Sequence, residues 1–124
     1  MSLLTKLLGK SGEDRAAKHV ERLGYRITER NFRTPMGEID LIALDGDTIA
    51  FIEVKTRTSN AFGTPELAVD PRKQGRMVKA ALAYLKRKGL HQMSCRFDVV
   101  AISGPEEDQV QLIRNAFEMD RRRY

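Results

Sequence analysis

Residues 38–55 contain two apolar runs, EIDLIAL and TIAFIEVK, separated only by DGD. Apolar residues bounded by a short Asp- and Gly-containing segment are typical of two strands joined by a tight turn. The sequence therefore predicts a β-hairpin near the middle of the chain, and the rest of the fold must be built around it.

The flanking segments predict an α-β-β-β-α-β order. A helix is predicted over residues 12–23, because SGED resembles a capping box and apolar residues then recur at helical spacing. Gly24 marks its end. The segment YRITERNFR predicts the first strand, TPMG the turn after it, and the two hairpin runs the second and third strands.

A second helix is predicted from Pro71 to the residue before Gly89, after a long loop over residues 56–70. Its expected apolar face comprises Met77, Val78, Ala81, Leu82 and Leu85. RFDVVAIS predicts a fourth strand and VQLIRNAF a short last one. The third and fourth strands should be parallel because a helix connects them, whereas the first three should form an antiparallel meander. A mixed sheet with helices packed on it follows.

Composition narrows the class of protein. The 124 residues suit one domain, with 1–10 as an N-terminal segment and 118–124 as an exposed tail. The single cysteine, Cys95, excludes a disulfide framework or a multi-cysteine zinc site and favours a reducing cytoplasm. No apolar stretch approaches the roughly 18 residues of a membrane span. The net charge of +5 permits binding to a polyanion.

Charged residues interrupt the hairpin at spacings of two: Glu38 and Asp40 in one strand, Glu53 and Lys55 in the other. Side chains alternate across a strand, so each pair shares a face. A turn made by residues 46–47 places Asp40 opposite Glu53, and one made by residues 45–46 makes Glu53 its diagonal neighbour. Only a symmetric three-residue loop separates them onto opposite faces.

Two carboxylates opposed at about 4.5–5.5 Å destabilise a hairpin unless something neutralises them. Mg²⁺ does so, because it prefers one or two carboxylates together with waters and phosphate oxygens. Lys55 beside such an ion can orient a water or hold a phosphate oxygen. The alternative is a surface salt-bridge ladder, with Glu38 paired to Lys55 and Asp40 solvated.

Glu13 extends the apolar stripe of the first predicted helix toward the core. A carboxylate there requires a partner or a metal ion. An acid in a first helical turn is also favoured by the helix dipole, so the sequence leaves both interpretations open.

Asp40 followed by EVK at residues 53–55, after a helix bearing Glu13, resembles the PD-(D/E)XK nuclease superfamily. The match is closer to the YraN-like family of small bacterial proteins, which is related in fold to archaeal Holliday-junction resolvases. The segments that carry it are RNFR, GEIDLIA, FIEVKTR, PELAVDPRK, RFDVV and RNAF. The resemblance implies an α/β, restriction-endonuclease-like αβββαβ core.

The resemblance also implies site residues. Asp40, Glu53 and the carbonyl of Val54 would hold Mg²⁺ or Mn²⁺, Glu13 would complete the metal site, and Lys55 would position or activate the attacking water. Ile39 stands where the superfamily's name has proline.

The implied function is a metal-dependent endonuclease that hydrolyses DNA phosphodiesters, including branched DNA. The alternative is a nucleic-acid-binding module or accessory subunit that does not cleave. The candidate contacts to the nucleic-acid backbone are Arg57, Lys73 and Arg76. The alternative is that these residues are solvated surface charges. Symmetric cutting of branched DNA would suggest a homodimer.

Overall fold

The computed structural model describes residues 3–56 and 69–119, and their side chains from residue 11 onward. Two helices and five strands follow in chain order: α1 (Leu3–Arg22), β1 (Arg26–Thr34), β2 (Gly37–Asp45), β3 (Thr48–Thr56), α2 (Pro71–Lys88), β4 (Ser94–Ile102) and β5 (Val110–Phe117). A short 3₁₀ turn, Glu107–Gln109, precedes β5.

The strands form one sheet in the order β1-β2-β3-β4-β5. β3 and β4 are parallel, and every other neighbouring pair is antiparallel. The predicted meander, parallel pair and α/β class are therefore confirmed. The arrangement is consistent with a restriction-endonuclease-like αβββαβ core, a mixed sheet flanked by helices.

The core lies on both faces of the sheet because β3 alternates between two apolar clusters. Ile49 and Phe51 pack with Met77 and other residues of α2, whereas Ala50 and Ile52 pack with residues of α1. Because both faces of the sheet are covered, the sequence of β3 is a nearly continuous apolar run.

The start of α1 corrects the sequence prediction. The helix begins at Leu3 rather than near residue 12, so Ser11 and Asp14 lie within it and do not cap it. Gly12 is buried, and a Cβ there would lie 2.9 Å from Oγ1 of Thr56. The glycine that suggested a helix start instead lets α1 approach β3 closely.

The bounds of α2 agree with the prediction. The side chain of Asp70 accepts a hydrogen bond from the Lys73 N–H, Pro71 occupies the first turn, and Gly89 ends the helix with a φ of 66°. The predicted apolar face is wrong at Leu82, which is exposed. Ala80 and Tyr84 are buried instead.

A buried polar network joins Tyr25, the residue before β1, to the strands β2, β4 and β5. Asp98 is fully buried and accepts hydrogen bonds from the Tyr25 hydroxyl (2.8 Å), from Arg96 Nε (3.0 Å) and from the Asn115 N–H (2.9 Å). Arg96 also donates to Tyr25 and to Asp45. These partners satisfy a charge that would be costly to bury alone.

The predicted chain ends are only partly described. Residues 3–10 belong to α1, and Met119 packs against the α2-side cluster, so the exposed tail does not include it. Residues 120–124 and most of the predicted long loop lie outside the described residues.

Candidate active site

The register of the hairpin brings Asp40 and Glu53 together. Asp45 pairs with Thr48 and Leu41 pairs with Ile52, so residues 46 and 47 form the two-residue turn. Asp40 and Glu53 are the next residues along the two strands, as the first of the two predicted registers requires. The salt-bridge-ladder alternative does not describe this hairpin, because Asp40 is half-buried and Glu38 lies 3.5 Å from Arg33.

The side chains of Asp40 and Glu53 lie close enough to change each other's pKa. Burial and the neighbouring charge of Asp40 raise the pKa of Glu53 to about 7. Burial also raises the pKa of Asp40, although hydrogen bonds from the Val54 N–H and from Glu53 oppose that rise. The pair therefore takes up a proton at a higher pH than exposed carboxylates do.

The backbone of β3 fixes the orientation of Asp40. The Val54 N–H donates to Asp40 Oδ2 at 2.8 Å. A carboxylate that accepts a backbone hydrogen bond has a defined position, as a metal ligand or a proton acceptor requires.

Lys73 provides the cation of this site. Its Nζ forms an ion pair with Oε1 of Glu53, whose side chain is only 4% exposed, against 41% for Lys73. Burial lowers the pKa of Lys73, but its hydrogen bond with Glu53 and the charges of Glu53 and Asp40 raise that pKa overall. Sequence reasoning identified Lys73 only as a backbone-binding residue. No sequence spacing indicated this contact, because it depends on how α2 packs on the sheet.

The strand geometry changes at Asp40. Leu41 belongs to the α1-side cluster, yet Ile39 belongs to the α2-side cluster, so strict alternation breaks between them. On the neighbouring strand β1, Leu41 pairs with Arg30 and Ile39 pairs with Phe32. Asn31, between these two β1 residues, has a φ of 53°. A non-glycine residue in this conformation is uncommon, although asparagine tolerates it better than most.

Asn31 connects this irregularity to Glu13. Its Nδ2 donates to Oε1 of Glu13 at 2.9 Å. Burial and the negative charge of Asp40 raise the pKa of Glu13. Glu13 therefore lies within electrostatic reach of the carboxyl pair, with Asn31 as its hydrogen-bond partner. Its predicted role as a metal ligand stays a prediction.

The site offers few protein ligands to a divalent cation. Within residues 3–56 and 69–119, no three His, Cys, Asp or Glu side chains converge so as to hold a metal ion. Two carboxylates nevertheless suffice for Mg²⁺, which fills its other positions with water and substrate oxygens. The Asp40–Glu53 pair supplies two carboxyl groups side by side, one buried and one half-buried, and fits that requirement.

The remaining predicted residues are placed as follows. Lys55 is half-buried two residues beyond Glu53 on β3, so its side chain leaves the same face of the strand. Arg76 is exposed on α2, and Arg57 lies outside the described residues. The part played by the Val54 carbonyl stays a prediction.

A groove of about 380 Å³ lies beside Lys73, between the β1–β2 turn and the start of α2. Residues 34–38 form one wall, and Lys73, Arg76 and Met77 form the other. Gly37 allows this close approach, because a Cβ there would lie 2.3 Å from the Arg76 carbonyl oxygen. The groove gives solvent access to the cationic end of the site.

Neither described helix has the length and apolar character needed to cross a membrane.

Comparison with known proteins identifies relatives along nearly the whole chain. A UPF0102 protein of Geobacter sulfurreducens is 52% identical over 116 residues, covering 92% of this chain and 91% of the relative. A UPF0102 protein of Syntrophus aciditrophicus is 54% identical over 112 residues, covering 90% of this chain and 88% of the relative. A third, from Geobacter metallireducens, is 48% identical over 120 residues, covering 96% and 98%.

The model of uncharacterised protein family UPF0102 matches residues 12–102, a span that includes α2 and all of the candidate site residues. The matched span and the relatives' near-complete coverage show that this chain belongs to the UPF0102 family.

Proposed function

We propose that this protein is a metal-dependent endonuclease of the PD-(D/E)XK class that hydrolyses phosphodiester bonds of DNA. The observation that carries the proposal is the Asp40–Glu53 pair, two carboxyl groups in contact on adjacent strands, with Glu53 almost fully buried. Such a pair destabilises the fold, and functional sites are where perturbed carboxyl groups of this kind concentrate. The αβββαβ order and the EVK sequence at residues 53–55 support the same class.

The cofactor would be Mg²⁺ or Mn²⁺, held by Asp40, Glu53 and the Val54 carbonyl. Bound there, a divalent cation stabilises charge on a phosphate and lowers the pKa of a coordinated water. Asp40 would need no rearrangement to serve as a ligand, since the Val54 N–H already orients it.

The two lysines have different roles in this proposal. Lys55, on the same strand face as Glu53, orients the attacking water. Lys73 neutralises the carboxyl pair, and with a divalent cation held by Asp40 and Glu53 its ammonium would be available to a phosphate oxygen. Glu13, held by Asn31, accepts a hydrogen bond from water at the edge of the site.

A branched DNA substrate requires two symmetric cuts, so the active enzyme would be a homodimer. Its location would be the cytoplasm. This part of the proposal rests on fold-level analogy with junction resolvases.

One observation favours the second candidate, a nucleic-acid-binding module that does not cleave. The Lys73–Glu53 ion pair already neutralises Glu53 without a metal ion. In that case the carboxyl pair and Lys73 form a structural network, and the surface alone carries the function.

The test is incubation of purified protein with labelled linear duplex, single-stranded, flap and four-way-junction DNA in Mg²⁺ and, separately, in Mn²⁺. Glu53→Gln and Asp40→Asn remove one charge each with little change in size. Glu21→Gln makes the same chemical change at an exposed position on α1 and serves as the control.

Metal-dependent cleavage by the wild type and by Glu21→Gln, lost in the two site variants, is the expected result. Cleavage that survives both site variants would reject this site. Binding without cleavage by every protein would favour the non-cleaving module.

A further inference from the structure

The positive charge of the chain is concentrated on α2. This helix carries seven Lys and Arg residues and no acid. The other 15 of the 22 basic residues stand against 17 acids, so the chain outside α2 is slightly acidic. The net charge of +5 therefore belongs to one helix.

Most of the α2 cations have no ion-pair partner among the described residues, and the guanidinium of Arg87 lies 5.2 Å from the centre of the Phe32 ring. Lys73 is the only one of the seven that forms an ion pair with a described residue. The nearby acids are engaged elsewhere: Asp70 caps the helix, and Glu38 lies 3.5 Å from Arg33. The positive field of α2 is therefore directed to solvent.

Helix stability does not explain where these charges lie. Arg72 and Arg76 occupy the first two turns, where the helix dipole disfavours cations. Arg72 and Arg76 are also four residues apart, and Arg76 and Lys79 three apart, spacings at which like charges repel on a helix. Only the cations of the last turn are favoured by the dipole.

Five of the cations follow one line along the helix. Arg72, Arg76, Lys79, Lys86 and Arg87 are exposed and recur at spacings that keep them within one sector of the helix surface. We call them the α2 basic stripe. From Arg72 to Lys86 the stripe extends about 21 Å at about 1.5 Å per residue, which corresponds to about six base pairs of a duplex.

The stripe begins at the candidate active site. Arg76 and Lys73 line the groove beside the β1–β2 turn, and Lys73 contacts Glu53. A polyanion lying along the stripe would therefore reach the carboxyl pair at one end. A membrane surface does not fit, because the apolar face of α2 is buried in the core and has nothing to insert.

We infer that the α2 basic stripe is the docking surface for the phosphate backbone of a duplex arm next to the scissile bond. That a scissile bond lies next to the stripe rests on the proposed function. Binding of the duplex to the stripe does not. Contacts of this kind are independent of base sequence and are weakened by salt.

The experiment is fluorescence anisotropy of a labelled duplex of about 12 base pairs, in EDTA, over a series of salt concentrations. Lys79→Gln/Lys86→Gln removes two charges from the stripe far from the carboxyl pair. Lys18→Gln/Arg26→Gln removes two charges from exposed positions elsewhere and is the matched control. The slope of log affinity against log salt should fall by about two for the stripe variant and by less than half as much for the control.

Ala83 gives a second test of opposite sign. It is half-buried in the same sector, between Lys79 and Lys86. Ala83→Lys should tighten binding about threefold or more, and Ala83→Glu should weaken it by at least as much, because each adds one charge in the middle of the stripe. Equal slopes for the two double variants, unchanged affinity in both Ala83 variants, or absence of duplex binding by the wild type at low salt would each overturn the inference.

Cleavage in Mg²⁺, measured on the same preparations, separates the two proposals. Stripe-dependent binding without cleavage would leave this inference standing and reject the endonuclease. Cleavage together with DNA binding that does not depend on the stripe would support the endonuclease and reject this inference.

Discussion

Lys73 Nζ on α2 forms an ion pair with Oε1 of Glu53 on β3, across the boundary between a helix and the sheet it packs on. Glu53 is almost fully buried beside Asp40, so the carboxyl pair needs a positive charge. In the described part of the chain, Lys73 supplies that charge. A divalent cation at the same carboxyl groups would compete with it.

The first prediction concerns the removal of Lys73. Lys73→Met should lower the free energy of unfolding of the metal-free protein by about 1–2 kcal/mol, between the values for exposed and buried ion pairs, because Lys73 is itself 41% exposed. The loss should be larger at about pH 8 than at about pH 5, since Glu53 can protonate at the lower pH. Urea unfolding in EDTA measures both values.

Lys79→Met is the matched control for stability. Lys79 is on the same helix but exposed and without an ion pair to a described residue, so its loss should leave the free energy of unfolding nearly unchanged. An equal loss in both variants would show that the Lys73–Glu53 pair contributes nothing specific.

The second prediction concerns pH. The pKa of Glu53 is raised from 4.5 in the unfolded chain to about 7 in the folded protein. The folded state therefore holds this proton more tightly, and stability should fall as pH rises from about 4.5 to about 7, by an amount on the order of 3 kcal/mol. The raised pKa of Asp40 acts in the same direction.

Glu53→Gln should remove most of this pH dependence, because glutamine carries no charge at any pH. Thermal unfolding in EDTA at about pH 5 and about pH 8 compares the two proteins. A wild type whose stability rises over this interval, or a variant that falls as steeply as the wild type, would contradict the raised pKa.

The hairpin register was predictable from sequence because a period of two and a turn of only a few residues leave few alternatives. The sequence placed Asp40 and Glu53 on one face in both two-residue registers, and the structure selected one of them. The bounds of α2 were equally accessible, since Asp70, Pro71 and Gly89 act locally at its two ends.

Long-range packing was not predictable in the same way. Gly12 suggests a helix start in the sequence, and only its contact with Thr56 shows why a glycine is needed inside a helix. Lys73 lies 18 residues after Lys55 in the sequence, and no local pattern shows that it reaches Glu53. The position of α2 on the sheet decides that contact.

The third prediction concerns metal binding. Mg²⁺ or Mn²⁺ should raise the thermal stability of the wild type, by about 2.7 kcal/mol of unfolding free energy when the ion is present at about 100 times its dissociation constant. The stabilisation should be greater at about pH 8 than at about pH 5, because the proton on Glu53 competes with the metal ion. Differential scanning calorimetry with and without the ion measures it.

Asp40→Asn should abolish the stabilisation by metal, whereas Glu21→Gln should retain it. Lys73→Met should bind the metal ion more tightly than the wild type, since the competing ammonium is gone, and isothermal titration with Mn²⁺ measures the affinity. Weaker binding by Lys73→Met would show that the two cations do not compete.

The last prediction concerns the buried network around Asp98. Arg96 donates to Asp98 and to Asp45, and its guanidinium lies 5.4 Å from the centre of the Tyr25 ring. Arg96→Met would leave Asp98 buried with only neutral donors, so unfolding free energy should fall by about 3–5 kcal/mol. Asp98→Asn should cost less, because it removes the buried charge while keeping the shape. If Arg96→Met unfolds at the wild-type urea concentration, the network does not stabilise the fold. Asp98 lies on β4 and not on the α2 basic stripe, so a folded Asp98→Asn protein should keep the wild-type salt dependence of DNA binding.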